Sequence, residues 1–268
     1  MIWFFIKKNF WDGWENIGNL VVPNLMTLGV LALMFVGYLF GFSFNPISLL
    51  LMYIMVILGI ACIIVFESAF ADNAKKIADF GTAKYSGYFS QIGKAFKENF
   101  KFGLMTGFLV VSAVTGVPLY IHMDSFYGVA LGMVLMLFVC IVMLAFQWYI
   151  PLRSLLNMAP KKALKKCFVV LFDNFAFSIF MEFYCIVLLV MSIVCLTTMP
   201  GACGILLART NALRLRLLKY DWLDQHPEQK AQGVRKNIPW SALIQEDKRL
   251  LGNKGFKDLF GGAKTEED

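Results

Sequence analysis

The chain has 268 residues, 59% hydrophobic and only 16% charged, with a formal net charge of +7. Soluble domains run nearer to about 25% charged and about 45–50% apolar, so this balance excludes a disordered chain, a disulfide-stapled secreted scaffold and an ordinary soluble enzyme. The apolar runs are continuous and roughly twice the ~10-residue alternating strands of an outer-membrane barrel, which leaves an all-α fold, a polytopic membrane helix bundle.

Residues 1–19 open the chain. Trp3, Ile6, Phe10, Trp14 and Ile17 recur at helical spacing, as in an interfacial amphipathic helix with an aromatic face. The bundle is expected over 20–208. A spanning helix needs about 20 apolar residues, and 20–42, 46–66, 102–121 and 128–150 each supply such a run. Pro23 sits in the first turn of the first run and Pro46 opens the second, both tolerated positions, while Pro151 is expected to stop the fourth. The stretch 175–208 has Glu182 as its only charge before Arg209. As one straight helix it would measure about 51 Å, too long for a hydrocarbon core of about 30 Å. Pro200-Gly201 marks the break, giving two short spans or one span plus a re-entrant segment. No small-residue cleavage site follows Lys7, Lys8 and the first run, so that span is expected to remain in the mature protein.

The loops 72–101 and 151–173 are expected on the cytoplasmic side. In the first, Tyr85, Tyr88, Phe89, Ile92, Phe96 and Phe100 form an apolar stripe at spacings of three and four, the signature of a surface-lying helix. The run KKALKKCFVVLF after Pro160 repeats the idea. The tail 209–268 is an amphipathic cytoplasmic segment with a linker near Pro227 and Gly233 and a short apolar patch around Trp240 and Leu243.

The 25 Lys and Arg fall in four blocks: two at 7–8, six in 72–101, five in 151–173 and twelve from 209 onward. Basic loops stay inside. All four blocks share one side only if the runs form three hairpins, which gives six crossings and two cytoplasmic termini. The basicity thus reports topology and contact with membrane lipids, and no motif for nucleic acid accompanies it.

Chemistry is sparse. The histidines, His122 and His226, lie on opposite sides of the expected membrane, and none of the six cysteines forms C-x-x-C, so no metal site or cofactor is expected. There is no G-x-S-x-G, H-E-x-x-H or P-loop. No catalytic residue is assigned, and the chain is read as a non-enzyme. Charges in apolar surroundings are expensive and mark candidate sites. Glu67 ends the second run, Glu182 lies in the last, and Arg209 lies at its cytoplasmic end, where a Glu182–Arg209 pair is expected. The Gly37-x-x-x-Gly41 and Gly103-x-x-x-Gly107 motifs fit close helix packing, within the chain or in a homo-oligomer.

The loop from Gly81 holds a tyrosine-rich patch followed by an F-x-x-x-F-K-x-N-F-like run, with Tyr85, Tyr88, Phe89, Phe96, Lys97, Asn99 and Phe100 in the matching places. It resembles the YesL-like family of small bacterial polytopic membrane proteins. Pro200-Gly201, Asn211-Ala212-Leu213-Arg214, Lys219-Tyr220-Asp221, Ile238-Pro239-Trp240 and Glu246-Asp247 resemble a related bacterial subgroup. The resemblance implies a multi-pass protein of the bacterial inner membrane, an accessory or regulatory subunit of a carbohydrate ABC uptake system that contacts ABC transporter permease subunits. Tyr85, Tyr88, Phe89, Phe96, Asn99, Trp240, Glu246 and Asp247 are the candidate partner-binding residues. An independent small-molecule transporter and a membrane-structuring protein are the alternatives.

Overall fold

The computed structural model describes residues 1–41, 45–123, 125–228 and 238–252, and every regular element among them is a helix. In chain order these are α1 (Ile2–Glu15), α2 (Ile17–Gly41), α3 (Pro46–Ala78), α4 (Tyr85–Ile121), α5 (Phe126–Phe146), α6 (Tyr149–Leu156), α7 (Pro160–Asp173), α8 (Phe175–Val194), α9 (Gly201–Gln225), α10 (Trp240–Leu243) and α11 (Gln245–Leu251). Helix starts follow local chemistry. Asn45 accepts a hydrogen bond from the Ile47 amide (3.1 Å) with Pro46 at the first helical position of α3, and Ser125 accepts one from the Gly128 amide (3.0 Å) at the start of α5.

Five helical stretches are long and apolar enough to cross a membrane: Ile17–Leu39, Pro46–Ala78, Tyr85–Ile121, Phe126–Leu156 and Phe175–Val194. Their apolar side chains mostly face outward. Phe35, Phe108, Phe138 and Phe183 are all exposed. In water such a surface would be an aggregation liability; lipid removes that cost, and the arrangement is that of a multi-pass membrane protein. The sixth expected crossing is not in this set. The apolar start of α9 is only eight residues long (201–208) before Arg209, and Arg214 and Arg216 follow.

The boundaries differ from the sequence reading at four places. α2 begins at Ile17, so Pro23 sits inside a helix rather than in its first turn. The surface helix expected over 85–100 and the span 102–121 are one helix of 37 residues, α4; no proline interrupts the junction, and Gly103 and Gly107 are packed against α3 instead of breaking the helix. The fourth span breaks at Gln147–Trp148, not at Pro151, which lies in the first turn of α6, where its missing N–H costs little. The break is fixed from outside: Trp148 Nε1 donates to Ser178 Oγ (3.1 Å) and Gln147 Nε2 to the Ser178 carbonyl (3.2 Å). Finally, the division expected at 208/209 falls inside α9.

Contacts divide the chain into two compact units, Met1–Trp11 with Leu215–Asp268, and Asp12–Arg214. In the first, the aromatic face of α1 is turned outward: Trp3 is 79% exposed, whereas Phe4, Phe5 and Trp11 are buried. The second contains all the long helices except the end of α9. There α3 and α4 pack backbone to backbone. A Cβ on Gly103 would lie 2.6 Å from Ala61 Cα, and one on Gly107 would lie 2.8 Å from the Ile57 carbonyl oxygen, so only glycine permits this approach. The pairing of 103 with 61 and 107 with 57 makes the two helices antiparallel.

Candidate functional site

The charges isolated in or beside the apolar runs come together. Glu67 is on α3, Glu182 on α8 and Arg209 on α9. Arg209 Nη2 lies 3.9 Å from Glu182 Oε2, and Glu67 is close enough for its carboxylate to interact electrostatically with the same guanidinium. Cys185, one turn from Glu182, also faces Arg209. The one guanidinium offsets one of the two carboxylate charges, and such pairing is what makes charge tolerable in apolar surroundings. The other end of this pair of helices is held by neutral polar groups. Asn24 Nδ2 donates to the carbonyls of Thr198 (3.0 Å) and Pro200 (2.9 Å), and its Oδ1 accepts from the Cys203 amide (3.0 Å). The Gly201 amide donates to Ser192 Oγ (2.9 Å). These bonds clamp the 195–200 connection on the fully buried Asn24 and satisfy amides in the first turn of α9 that no helix supplies partners for.

A second constellation lies where α3 and α4 run on past their apolar stretches. An open cleft of about 390 Å³ is framed by the end of α3, the first half of α4 and α6, and is lined among others by Asp72, Gln91, Lys94, Glu98, Asn99 and Arg153. Its anchor is Arg153, whose side chain is 13% exposed and pairs with Glu98 at 2.6 Å. The guanidinium also bonds the side-chain oxygen of Asn99 and, through Nε, the Met158 carbonyl (3.2 Å). With Arg153 and Glu98 neutralising each other, Asp72 and Lys94, neither of which makes an ion pair among the described residues, present one charge of each sign to an incoming group. Ser154 Oγ donates to the Ala71 carbonyl (2.9 Å) and ties the α6 wall to α3.

The remaining predicted partner residues separate into inward and outward sets. Tyr88 is 1% exposed and its hydroxyl reaches Met26 Sδ (3.4 Å) on α2. The Tyr85 hydroxyl lies against Gly18, although its ring is half-exposed. Asn99 is buried under Arg153. Phe89 and Phe96, seven residues apart and therefore on one face, are both half-exposed, and Phe96 stacks on Phe100 with ring centroids 4.5 Å apart. In the other compact unit, Trp240 lies under the Arg216 guanidinium (5.4 Å to the ring centroid), Glu246 is exposed and Asp247 is buried. The structure thus gathers Asn99 with the cleft and Glu67, Glu182 and Arg209 with one another, and leaves Trp240, Glu246 and Asp247 in a different unit.

Two residues that matter here were not singled out from the sequence. Arg153 follows Pro151-Leu152 immediately after an apolar run, and a lone arginine at that border is a usable signal. Asn24 is a lone amide beside Pro23 in an apolar run, and it too needs a partner. Among the described residues no group of three or more His, Cys, Asp or Glu is arranged to hold a metal. Burial in α7 pushes the Cys167 thiol up to about 12, so it stays protonated and unreactive. Comparison with protein-family models, with curated proteins and with solved structures finds no match.

Proposed function

We propose that this chain is a non-enzymatic accessory or regulatory subunit of the bacterial cytoplasmic membrane, and that its partner is the permease of a carbohydrate ABC uptake system, as the YesL-like resemblance implies. The observation that carries the reading is the charged cleft between α3, α4 and α6. It opens on the side that bears the basic loops, and its Asp72 and Lys94 are free to pair with charges on a partner loop. The exposed Phe89 and Phe96 flank the buried stripe of α4 on the opposite side from Gln91, Lys94 and Glu98, and they add an apolar contact. In this reading α8 enters the membrane and α9 returns, both termini are cytoplasmic, and the bundle is three hairpins.

Affinity purification of the full chain from native membranes tests it. Permease subunits should co-purify, and Asp72→Lys should abolish their recovery while the chain stays folded. Recovery of the chain alone, with solute transport in liposomes, would overturn the reading. That outcome would favour an independent small-molecule transporter, for which the Glu67–Arg209–Glu182 cluster is the supporting observation; Glu182→Gln should then abolish transport.

A further inference from the structure

We infer that a groove between α4, α6 and α7 is a specific site for an anionic phospholipid of the leaflet in contact with the basic loops. The groove has a volume of about 450 Å³ and adjoins the charged cleft, sharing Glu98 with it. Its rim carries Lys97 and Lys101, one turn apart on α4, and Lys161 at the start of α7; all three are exposed and none makes an ion pair among the described residues. The first turn of α7 contains no acidic residue to balance Lys161. Glu98, the one carboxylate in the lining, is already committed to Arg153 at 2.6 Å. Among the described residues the rim therefore holds three cations and no uncommitted carboxylate.

Beneath the rim the groove is apolar. Phe102 stacks face to face on Tyr149 (centroids 3.7 Å apart) to make a fixed aromatic wall, and Met105 and Leu164 continue it. Phe102 and Met105 begin the apolar stretch of α4, so the floor leads from the lysines toward the hydrocarbon. A phosphodiester with an attached acyl chain satisfies both halves: the phosphate oxygens take the lysine ammoniums and the chain covers Met105 and Leu164. A soluble anion would leave the floor wet, and a zwitterionic headgroup would bring its own ammonium to an already cationic rim. Basic pockets between spanning helices on this side of a membrane bind anionic headgroups for the same reason.

The test is native mass spectrometry of the full chain in neutral detergent, titrated separately with phosphatidylglycerol, phosphatidylethanolamine and inorganic phosphate. Phosphatidylglycerol should be retained and the other two should not. The triple substitution K97Q/K101Q/K161Q should weaken phosphatidylglycerol about fivefold per lysine, roughly a hundredfold in all. K97R/K101R/K161R should restore it, and K76Q/K84Q/R249Q, which removes three exposed cations elsewhere, should leave it unchanged. Leu164→Trp, which fills the floor and keeps every charge, should also weaken retention. Equal loss in the two glutamine triples, full retention in K97Q/K101Q/K161Q, or displacement of the lipid by equimolar inorganic phosphate would each overturn the assignment. Unchanged thermal unfolding of each variant separates loss of binding from loss of fold.

Discussion

The pair α3–α4 and the pair α8–α9 are both antiparallel helices joined by a short connection, yet different physics holds each. The α3–α4 contact rests on shape: Gly103 and Gly107 let two backbones touch, and the energy is dispersion over a long seam. The α8–α9 contact rests on polar groups, with Arg209 between two carboxylates at one end and Asn24 and Ser192 gripping the connection at the other. A seam of small residues tolerates sliding and loses everything to one bulky side chain. A polar clamp tolerates changes in volume but not the loss of a partner. The difference matches what each pair does: α3 and α4 extend past the apolar region to frame a cleft, whereas α9 starts from a connection gripped by the buried Asn24 and is enclosed along its first turns.

That contrast can be broken most sharply on the shape side. The double variant G103L/G107L puts two side chains into the α3 backbone and should cost about 2–6 kcal/mol, from about 1–3 for each overpacked site; little folded protein should survive denaturant titration in detergent. On the polar side, Arg209→Gln leaves Glu67 and Glu182 without their cation and should cost about 3 kcal/mol, while Glu182→Gln, which removes only one half-exposed partner, should cost about 1. A larger loss for Glu182→Gln than for Arg209→Gln would show that the pair, not the shared cation, holds the cluster. Asn24→Ala removes three hydrogen bonds and should cost about 2 kcal/mol, with faster proteolysis in 195–200 and none in 79–84. Glu98→Gln should cost about 1 kcal/mol or less, since that pair is partly solvated. The smallest expected effect is on Cys167. Its thiol is raised to about 12, so the thiolate stays a minor species up to about pH 10, and maleimide labelling should be slow and keep climbing with pH without levelling off; a plateau above the ordinary thiol value of about 8.5 would mean that α7 does not cover it.

Five of the six expected spans were legible because length and apolarity are local properties. Pro46 and Pro200-Gly201 also acted where they stand, and so marked real boundaries. The isolated charges Glu67, Glu182 and Arg209 were legible for a different reason: each is too costly in an apolar run to stand alone. The break at Gln147–Trp148 was hidden, because the bonds that fix it come from Ser178, 30 residues on. Pro151 looked like the stop and is only a tolerated first-turn residue. The merger of the expected surface helix with the third span was hidden too, since a stripe of aromatics reads the same whether its other end floats on a membrane or continues through it. Of the cleft, Asn99 was named and Arg153 was not. The pairing that makes it a site joins residues 98, 99 and 153, and periodicity within one helix carries no information about a partner on another.

The clamp on Asn24 also has a consequence in time. Its partners lie 174, 176 and 179 residues later in the chain. At a synthesis rate of about 5–20 residues per second, they emerge about 9–35 s after Asn24 does. For that interval the first apolar helix carries an amide with none of its final partners, and the last of the long helices to be made is the one that completes it. Assembly of this bundle is therefore obliged to finish at its C-terminal half, and an arrested chain lacking residues 195–203 should hold α2 less firmly than the complete protein does.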